Sequence, residues 1–315
     1  MKKVAIWGIG KHAEHNLIHS LIASEGIHLI GCYTRNMTKS EIISERFGII
    51  KFNSEEELLA SPEVETIVLS TPSGLHDSQS RVILESGKSV WSEKPLILSD
   101  ESMSWFSGEN FPDYKIGEMF MFLYHPQFSL LEEFLQSGKI GNLFSISCKF
   151  GIPHLGMDNV RYKKNLGGGA FFDTGCYPVA AAHALIGPEP EHVFSRIYHE
   201  DGFSVDTNGF AQLTYPGGIR ANLEWGFGMS YRNEITLWGS EGWLRVDRAF
   251  SKNQEFESSI VFKNSAGSRE EFSIPPANHF VSMFEKNLDR TSGDWVKEQS
   301  NMMKMISLSA NQHFE

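Results

Sequence analysis

The sequence predicts an α/β protein in two parts: a doubly wound parallel sheet, followed by a region built on antiparallel strands. Three observations carry that prediction. Through residue 92, short apolar runs alternate with segments of helical periodicity, the order expected of a parallel sheet whose crossovers are helices. From residue 142 onward the strand-like runs change in kind and several follow one another directly. One pair of them is joined by Pro216-Gly217-Gly218, a hairpin turn.

The elements follow in order. Residues 3–8 (KVAIWG) form a compact strand ending at Gly8, and 13–24 place Leu17 and Leu21 at helical spacing. Residues 27–34 are the second strand, and a helix over 39–48 stops at Gly48. The segment 54–61 opens on Ser54 and three glutamates, a good helix start because the serine caps free N–H groups and acids complement that end. A strand over 65–71, a helix over 76–87 and a strand over 88–92 complete the first part. In the second part, strands are expected at 142–152, 208–215, 219–228, 232–240 and 242–247, and amphipathic helices at 278–290 and 298–314. Met302, Met303 and Met305 of the last helix are read as packing residues.

The 315 residues suffice for two domains, and a net charge of −11 excludes general binding to nucleic acid or anionic membrane, since both require a basic field. No apolar run approaches the ~18 residues of a membrane span. The opening MKKVAIWG breaks at glycine too early for a signal peptide. Cys32, Cys148 and Cys176 are too scattered for a disulfide framework, which points to a reducing, cytoplasmic compartment. His12, His15 and His19 share one helical face, but no cysteine or acid cluster completes a tetrahedral set, so no metal is expected.

The first strand-to-helix turn reads Gly8-Ile9-Gly10-Lys11-His12-Ala13. The first glycine permits the tight turn, the second lets a pyrophosphate approach the backbone, and the small third residue packs helix on strand. The free N–H groups of the helix then meet the phosphates. After the second strand stand Thr34, Arg35 and Asn36, with no acid for the ribose hydroxyls. Arg35 matches a 2′-phosphate, so NADP(H) is favoured over NAD(H), a solvated surface arginine being the competing reading. Glu93-Lys94-Pro95 ends the last strand of this part, the edge at which doubly wound sheets hold their ligands.

The ordered set GIGxxA, TPSGLHDSQSRVILESGKSVWSEKP, GEMFMFLYHPQ, LQSGKIGNL and GGGAFFDTGCYP resembles the Gfo/Idh/MocA oxidoreductases over nearly the whole chain. The resemblance implies an N-terminal Rossmann domain over 1–120. It also implies an α/β domain over 121–315 with a large open, mainly antiparallel sheet that binds substrate and forms the oligomer interface. It makes Lys94 the catalytic lysine and adds Ser70, Thr71, Pro72, His76 and Glu93 to the cofactor contacts.

Asp173 and Tyr177 are four residues apart and share a helical face. A tyrosine, protonated at neutral pH, can give its proton to a developing alkoxide, and an ammonium such as Lys94 would stabilise the phenolate and oxyanion. Tyrosine at this position, where many relatives carry histidine, resembles the branch of glucose–fructose oxidoreductase, dihydrodiol dehydrogenase and deoxysugar 3-ketoreductases. That branch implies reduction of a 3-keto nucleotide sugar, with free-sugar or trans-dihydrodiol oxidation as the alternative and a non-catalytic cofactor or sugar sensor as a third reading. Asp173 would hold a sugar hydroxyl or orient Lys94, or serve only as a charge at a helix N-terminus. Arg161, Lys163 and Lys164 form a basic cluster that would receive a substrate phosphate, or lie in a solvated loop. Glu118, Tyr124 and His154 are further substrate contacts, Glu118 on the nicotinamide side or against Lys94, while Gln127 shapes the cavity and His125 caps a following helix. Trp91 and Met119 depart from the usual family pattern and are read as cavity lining.

Overall fold

Val4, Ala5 and Ile6 are fully buried, as a strand covered on both faces requires. The computed structural model describes residues 1–99 and 115–311, in two units: Met1–Phe120 with Phe280–Lys297, and Met121–His279 with Glu298–Glu315. The first unit holds β1 (Lys2–Trp7), β2 (Ile27–Tyr33), β3 (Ile50–Lys51), β4 (Thr66–Leu69), β5 (Ser89–Ser92) and β6 (Ile116–Glu118). All pair in parallel, in the order β3-β2-β1-β4-β5-β6. The crossovers are α1 (Ile18–Ala23), α2 (Met37–Phe47), α3 (Glu55–Ala60) and α4 (His76–Glu85), with a π-helical turn over Ala13–Leu17 ahead of α1.

Local chemistry fixes the ends. Asn36 Oδ1 accepts from Lys39 N at 3.0 Å, and Ser54 Oγ accepts from Glu57 N at 3.2 Å, each satisfying an N–H that the first helical turn leaves unpaired. Gly48, in the left-handed region, closes α2. The strands β3 and β6, two and three residues long, are not anticipated from the sequence.

The second unit contains α5 (Pro126–Gln136), β7 (Leu143–Ile152), α6 (Cys176–Leu185), β8 (His192–Tyr198), β9 (Asn208–Thr214) and β10 (Arg220–Phe227). It continues with β11 (Arg232–Gly239), β12 (Gly242–Asp247), β13 (Ser258–Asn264) and β14 (Arg269–Ile274). The eight strands are ordered β14-β13-β12-β11-β7-β10-β9-β8. Every pair is antiparallel except β7 with β10, which run parallel with Ser145 opposite Arg220. Residues 216–218 turn β9 into β10, as the Pro-Gly-Gly predicts. Ala221, Leu223 and Trp225 of β10 point inward, where α6 covers the sheet, while Arg220 and Glu224 point to the open face. That face also exposes Phe144, Phe194, Tyr198 and Trp238. A cavity of about 750 Å³ on the sheet is lined by Phe194, Tyr198, Phe210 and the Lys149–Glu224 ion pair.

Two last helices are α7 (His279–Glu285) and α8 (Asp294–Asn311). The helix expected over 278–290 stops at 285 because Asn287 and Leu288 both adopt left-handed backbone conformations, which an α-helix of L-residues cannot contain. The stretch 280–297 belongs to the first unit, although the sequence division assigns it to the second part. Thr291 O accepts from Glu118 N at 3.0 Å, Phe284 stacks on Trp91 at 5.9 Å, and Val296 joins the first unit's core. In α8, Met302 and Met303 are buried as packing residues, and residues 312–314 of the expected helix lie outside the described residues.

Candidate active site

In the first unit the parallel strands bring the loops after β1, β2, β4 and β5 to one edge of the sheet. Gly8 has φ of +98°, and a Cβ there would lie 2.5 Å from the Ser70 carbonyl oxygen and 2.8 Å from Thr71. Only glycine permits this closeness of the two turns. A Cβ on Gly10 would meet nothing within 4 Å, so the backbone there is open to an approaching group. Ala13 is fully buried, as helix–strand packing demands. Arg35 is exposed beyond β2, while the Asn36 side chain is engaged as the cap of α2. Together these residues fit a phosphate-bearing dinucleotide.

At the exit of β5, Glu93 Oε1 lies 2.8 Å from His12 Nε2, and Glu93 Oε2 accepts from Lys94 N at 3.3 Å. Burial pushes the Glu93 pKa up, but His12 and Lys94 outweigh it and hold the carboxyl below its usual range. His15 and His19 are engaged locally, His15 Nδ1 at 2.6 Å from Lys11 O and His19 against the Phe47 ring. His76, read as a cofactor contact, is buried with Nδ1 3.0 Å from Pro95 O and Nε2 2.8 Å from Thr71 O. It ties the turn after β4 to the turn that carries Lys94, and burial pushes its pKa down. Glu118, at the end of β6, is 3% exposed, and its Oε1 accepts from Leu96 N at 2.9 Å. Burial raises its pKa to about 7, against the opposing pull of the Leu96 N–H and Lys94. Trp91 and Met119 are core rather than cavity lining, at 3% and 0% exposure.

In the second unit Gly168 and Gly169 lie close against their surroundings. A Cβ on Gly168 would lie 2.5 Å from Arg161 O, and one on Gly169 would collide with the Asp206 carboxylate. Gly168 N and Gly169 N donate to the Lys163 and Arg161 carbonyls at 3.1 and 2.9 Å. The turn bearing Arg161 thus folds back onto the start of the helix. Asp206 receives that start: its Oδ2 accepts from Phe171 N at 2.6 Å and its carbonyl from Ala170 N at 3.0 Å. Burial raises the Asp206 pKa, opposed by the Phe171 N–H.

Residues 171–175 form a π-helical turn that runs into α6, so Asp173 and Tyr177 stand across the junction. Arg161 Nε donates to Asp173 Oδ2 at 2.5 Å. The Asp173 carboxylate raises the guanidinium pKa, with Tyr177 adding in the same direction. Tyr177 is 7% exposed among Phe122, Phe150 and Phe250, and its hydroxyl reaches Met121 Sδ at 3.9 Å. Lys163 is exposed. His154 is held by Tyr162 Oη at 3.2 Å, Glu200 at 3.4 Å and a stacked Phe203 ring. Tyr124 and Gln127 are buried, and His125 caps α5 as expected, its Nδ1 accepting from Gln127 N at 3.1 Å. Burial, with the Lys252 charge, drives the His125 pKa down to about 3, so the ring is neutral.

Residues 2–104 match the oxidoreductase family model with an NAD-binding Rossmann fold, and 128–245 match the GFO/IDH/MocA C-terminal domain. Over 297 residues the chain is 32% identical to dTDP-3,4-didehydro-2,6-dideoxy-alpha-D-glucose 3-reductase of Saccharopolyspora spinosa, covering 92% of this chain and 89% of that protein. The chain belongs to the Gfo/Idh/MocA oxidoreductase family. Within this family it is also 25% identical over 285 residues to trans-1,2-dihydrobenzene-1,2-diol dehydrogenase of Mus musculus, covering 86% and 84% of the two chains. Among solved Gfo/Idh/MocA-type folds, KijD10, a 3-ketoreductase from Actinomadura kijaniata in complex with NADP and TDP-benzene, matches with a TM-score of 0.88. The identity is 25%, over 98% of this chain and 97% of that one. The two-sheet architecture anticipated from sequence is that of this family.

Sequence reasoning did not single out Asp206, whose neighbours FSVDTNG carry no motif. Nor did it find the Arg161–Asp173 pair, since the two residues are separated by the glycine segment whose turn brings them together. Among the described residues no group of three His, Cys, Asp or Glu side chains is arranged to hold a metal.

Proposed function

We propose that this protein reduces the 3-keto group of a nucleotide sugar with NADP(H), with Tyr177 as proton donor and Lys94 as its electrostatic partner. Residues 1–120 would hold the cofactor and 121–315 the substrate. The observation that carries the reading is the buried Tyr177 phenol beside Arg161–Asp173, in a chain 32% identical over 92% of its length to a dTDP-sugar 3-reductase. The solved structures of KijD10 with NADP and TDP-benzene, which include a tyrosine-to-phenylalanine mutant and two lysine mutants, support the same choice of chemistry.

The bound cofactor supplies the hydride. This chain's residues do the rest. The N–H groups at the Gly8–Ala13 turn meet the pyrophosphate, and exposed Arg35 meets a 2′-phosphate. Tyr177 gives its phenolic proton to the carbonyl oxygen as that oxygen gains negative charge. The surrounding phenylalanines exclude water there, which strengthens each electrostatic interaction. The Lys94 ammonium stabilises both the alkoxide and the phenolate left behind. His154, Tyr124 and Lys163 are proposed on the substrate side, and Glu118 against Lys94. Arg161 is proposed there through the remaining edge of its guanidinium, its Nε being held by Asp173.

The test is NADPH consumption with a freshly generated dTDP-3-keto-deoxysugar, in the wild type and in Tyr177→Phe. Reduction by the wild type and a loss of roughly 10²–10⁴-fold in kcat for the variant are expected, the usual worth of general acid catalysis. Robust oxidation of free sugars or trans-dihydrodiols without any keto-sugar reduction would overturn the reading in favour of the dehydrogenase. We infer too that a second copy covers the open sheet face, on which the large apolar side chains of Phe194, Tyr198 and Trp238 stand exposed. Trp238→Glu is expected to lower the mass seen in sedimentation, and an unchanged mass would rule that face out.

A further inference from the structure

We propose that Glu118 is the positioning residue of Lys94, fixing the turn that carries the lysine and setting its charge from beneath. The proposal rests on the reading of Lys94 as the electrostatic group of the reaction. Four observations carry it. Glu118 ends β6, the strand paired with β5, and lies directly opposite Ser92, two residues before Lys94. Its Oε1 accepts the N–H of Leu96, two residues beyond Lys94, at 2.9 Å. Its backbone is anchored separately, Glu118 N donating to Thr291 O at 3.0 Å. Its Oε2 is sealed from solvent and has no hydrogen-bond partner among the described residues.

A buried carboxylate with one oxygen unsatisfied is costly, and here the compensating charge is Lys94, whose pull on the carboxyl opposes burial. The interaction is mutual: an ionised Glu118 favours the ammonium form of Lys94, and a neutral Glu118 does not. Other charges face the same turn. Glu93, on the β5 exit, also acts on Glu118, and His12 and His76 act on Glu93 from the β1–α1 turn and from α4. Glu118 is distinguished by a carboxyl oxygen with neither solvent nor a hydrogen-bond partner among the described residues. Its charge answers to pH, to Lys94 and, with opposite sign, to Glu93.

The test reads Lys94 without substrate. The full chain is labelled with a small amine reagent across pH 6–10, and the extent at Lys94 is measured by peptide mass spectrometry in wild type and Glu118→Gln. Glutamine keeps an acceptor for the Leu96 N–H and removes the titrating charge. A downward shift of about one unit in the Lys94 midpoint is expected, which is roughly tenfold faster labelling below the midpoint. Superimposable profiles would overturn the proposal. Should the variant fail to fold, carbon-13 titration of Glu118 in wild type and Lys94→Met decides. A higher Glu118 midpoint in Lys94→Met supports the proposal, since the ammonium favours the carboxylate, and equal midpoints overturn it. In the active enzyme, Glu118→Gln is expected to change the pH profile of kcat and leave KM for NADPH within about twofold. If no keto sugar is reduced but the labelling shift appears, the role of Lys94 in catalysis fails and its coupling to Glu118 stands.

Discussion

Asp206→Ala removes the side-chain acceptor for Phe171 N–H at the entry to the helix bearing Asp173 and Tyr177. The bond is short, 2.6 Å, and charge-assisted. The neighbouring Ala170 N–H bonds to the Asp206 backbone carbonyl and keeps its partner in the variant. Losing the acceptor leaves one part-buried N–H unsatisfied, a cost of about 1–3 kcal/mol. Asp206→Asn should cost far less, since the amide oxygen still accepts and the carboxylate whose ionisation burial resists is removed. The assay is hydrogen exchange of the Phe171–Gly175 amides, which reads local opening in a protein whose two units need not unfold together. At about 2 kcal/mol, exchange in Asp206→Ala accelerates roughly 30-fold, against about threefold or less in Asp206→Asn. Equal rates in the two variants, or an alanine effect under threefold, would refute the argument that this acceptor holds the helix entry.

Gly8→Ala forces a Cβ into a left-handed residue and against the Ser70 carbonyl. It is expected to cost at least about 2 kcal/mol by urea denaturation and to abolish NADPH binding by fluorescence titration. Arg35→Ala should raise the Kd for NADPH roughly 10–100-fold and leave that for NADH unchanged, the worth of a charge-assisted phosphate contact; an equal loss for both cofactors would remove Arg35 from the 2′-phosphate site. Glu118 contributes a pH dependence of known sign. Its folded pKa, about 7, is above the unfolded 4.5, so the folded chain holds its proton more tightly. That contribution is fully present below pH 4.5 and is lost as pH rises to about 7. Wild type should therefore lose stability relative to Glu118→Gln over that window, by about 3 kcal/mol at most, and parallel stability curves would contradict it.

The central strands of the first sheet were legible because they are buried on both faces, so Val4–Trp7, Leu29–Tyr33 and Ile67–Leu69 appear as unbroken apolar runs. β8, β13 and β14 were missed because one face meets solvent: Ser258-Ser259-Ile260-Val261-Phe262 mixes polar and apolar residues without strict alternation. The proposed site residues Lys94, Asp173 and Tyr177 stand in short local motifs. The ties around them were not legible, because each joins distant segments through folding alone: Arg161 to Asp173, Asp206 to Phe171, Glu118 to Leu96, His76 to Thr71 and Pro95.

The segment 280–297, which returns to the first unit, bears on how this chain can be dissected and in what order it matures. A fragment ending at residue 120 would have every strand of the parallel sheet and still be incomplete. The Trp91 ring would lose Phe284, Gly117 its packing against Leu288, and the Glu118 N–H its acceptor at Thr291. On the ribosome, β1 to β6 must wait for the synthesis of residues 121–297 before their core closes. A minimal cofactor-binding fragment therefore requires residues 280–297 grafted through a linker, and a chain terminated before residue 280 would be damaged in a unit whose strands were made long before.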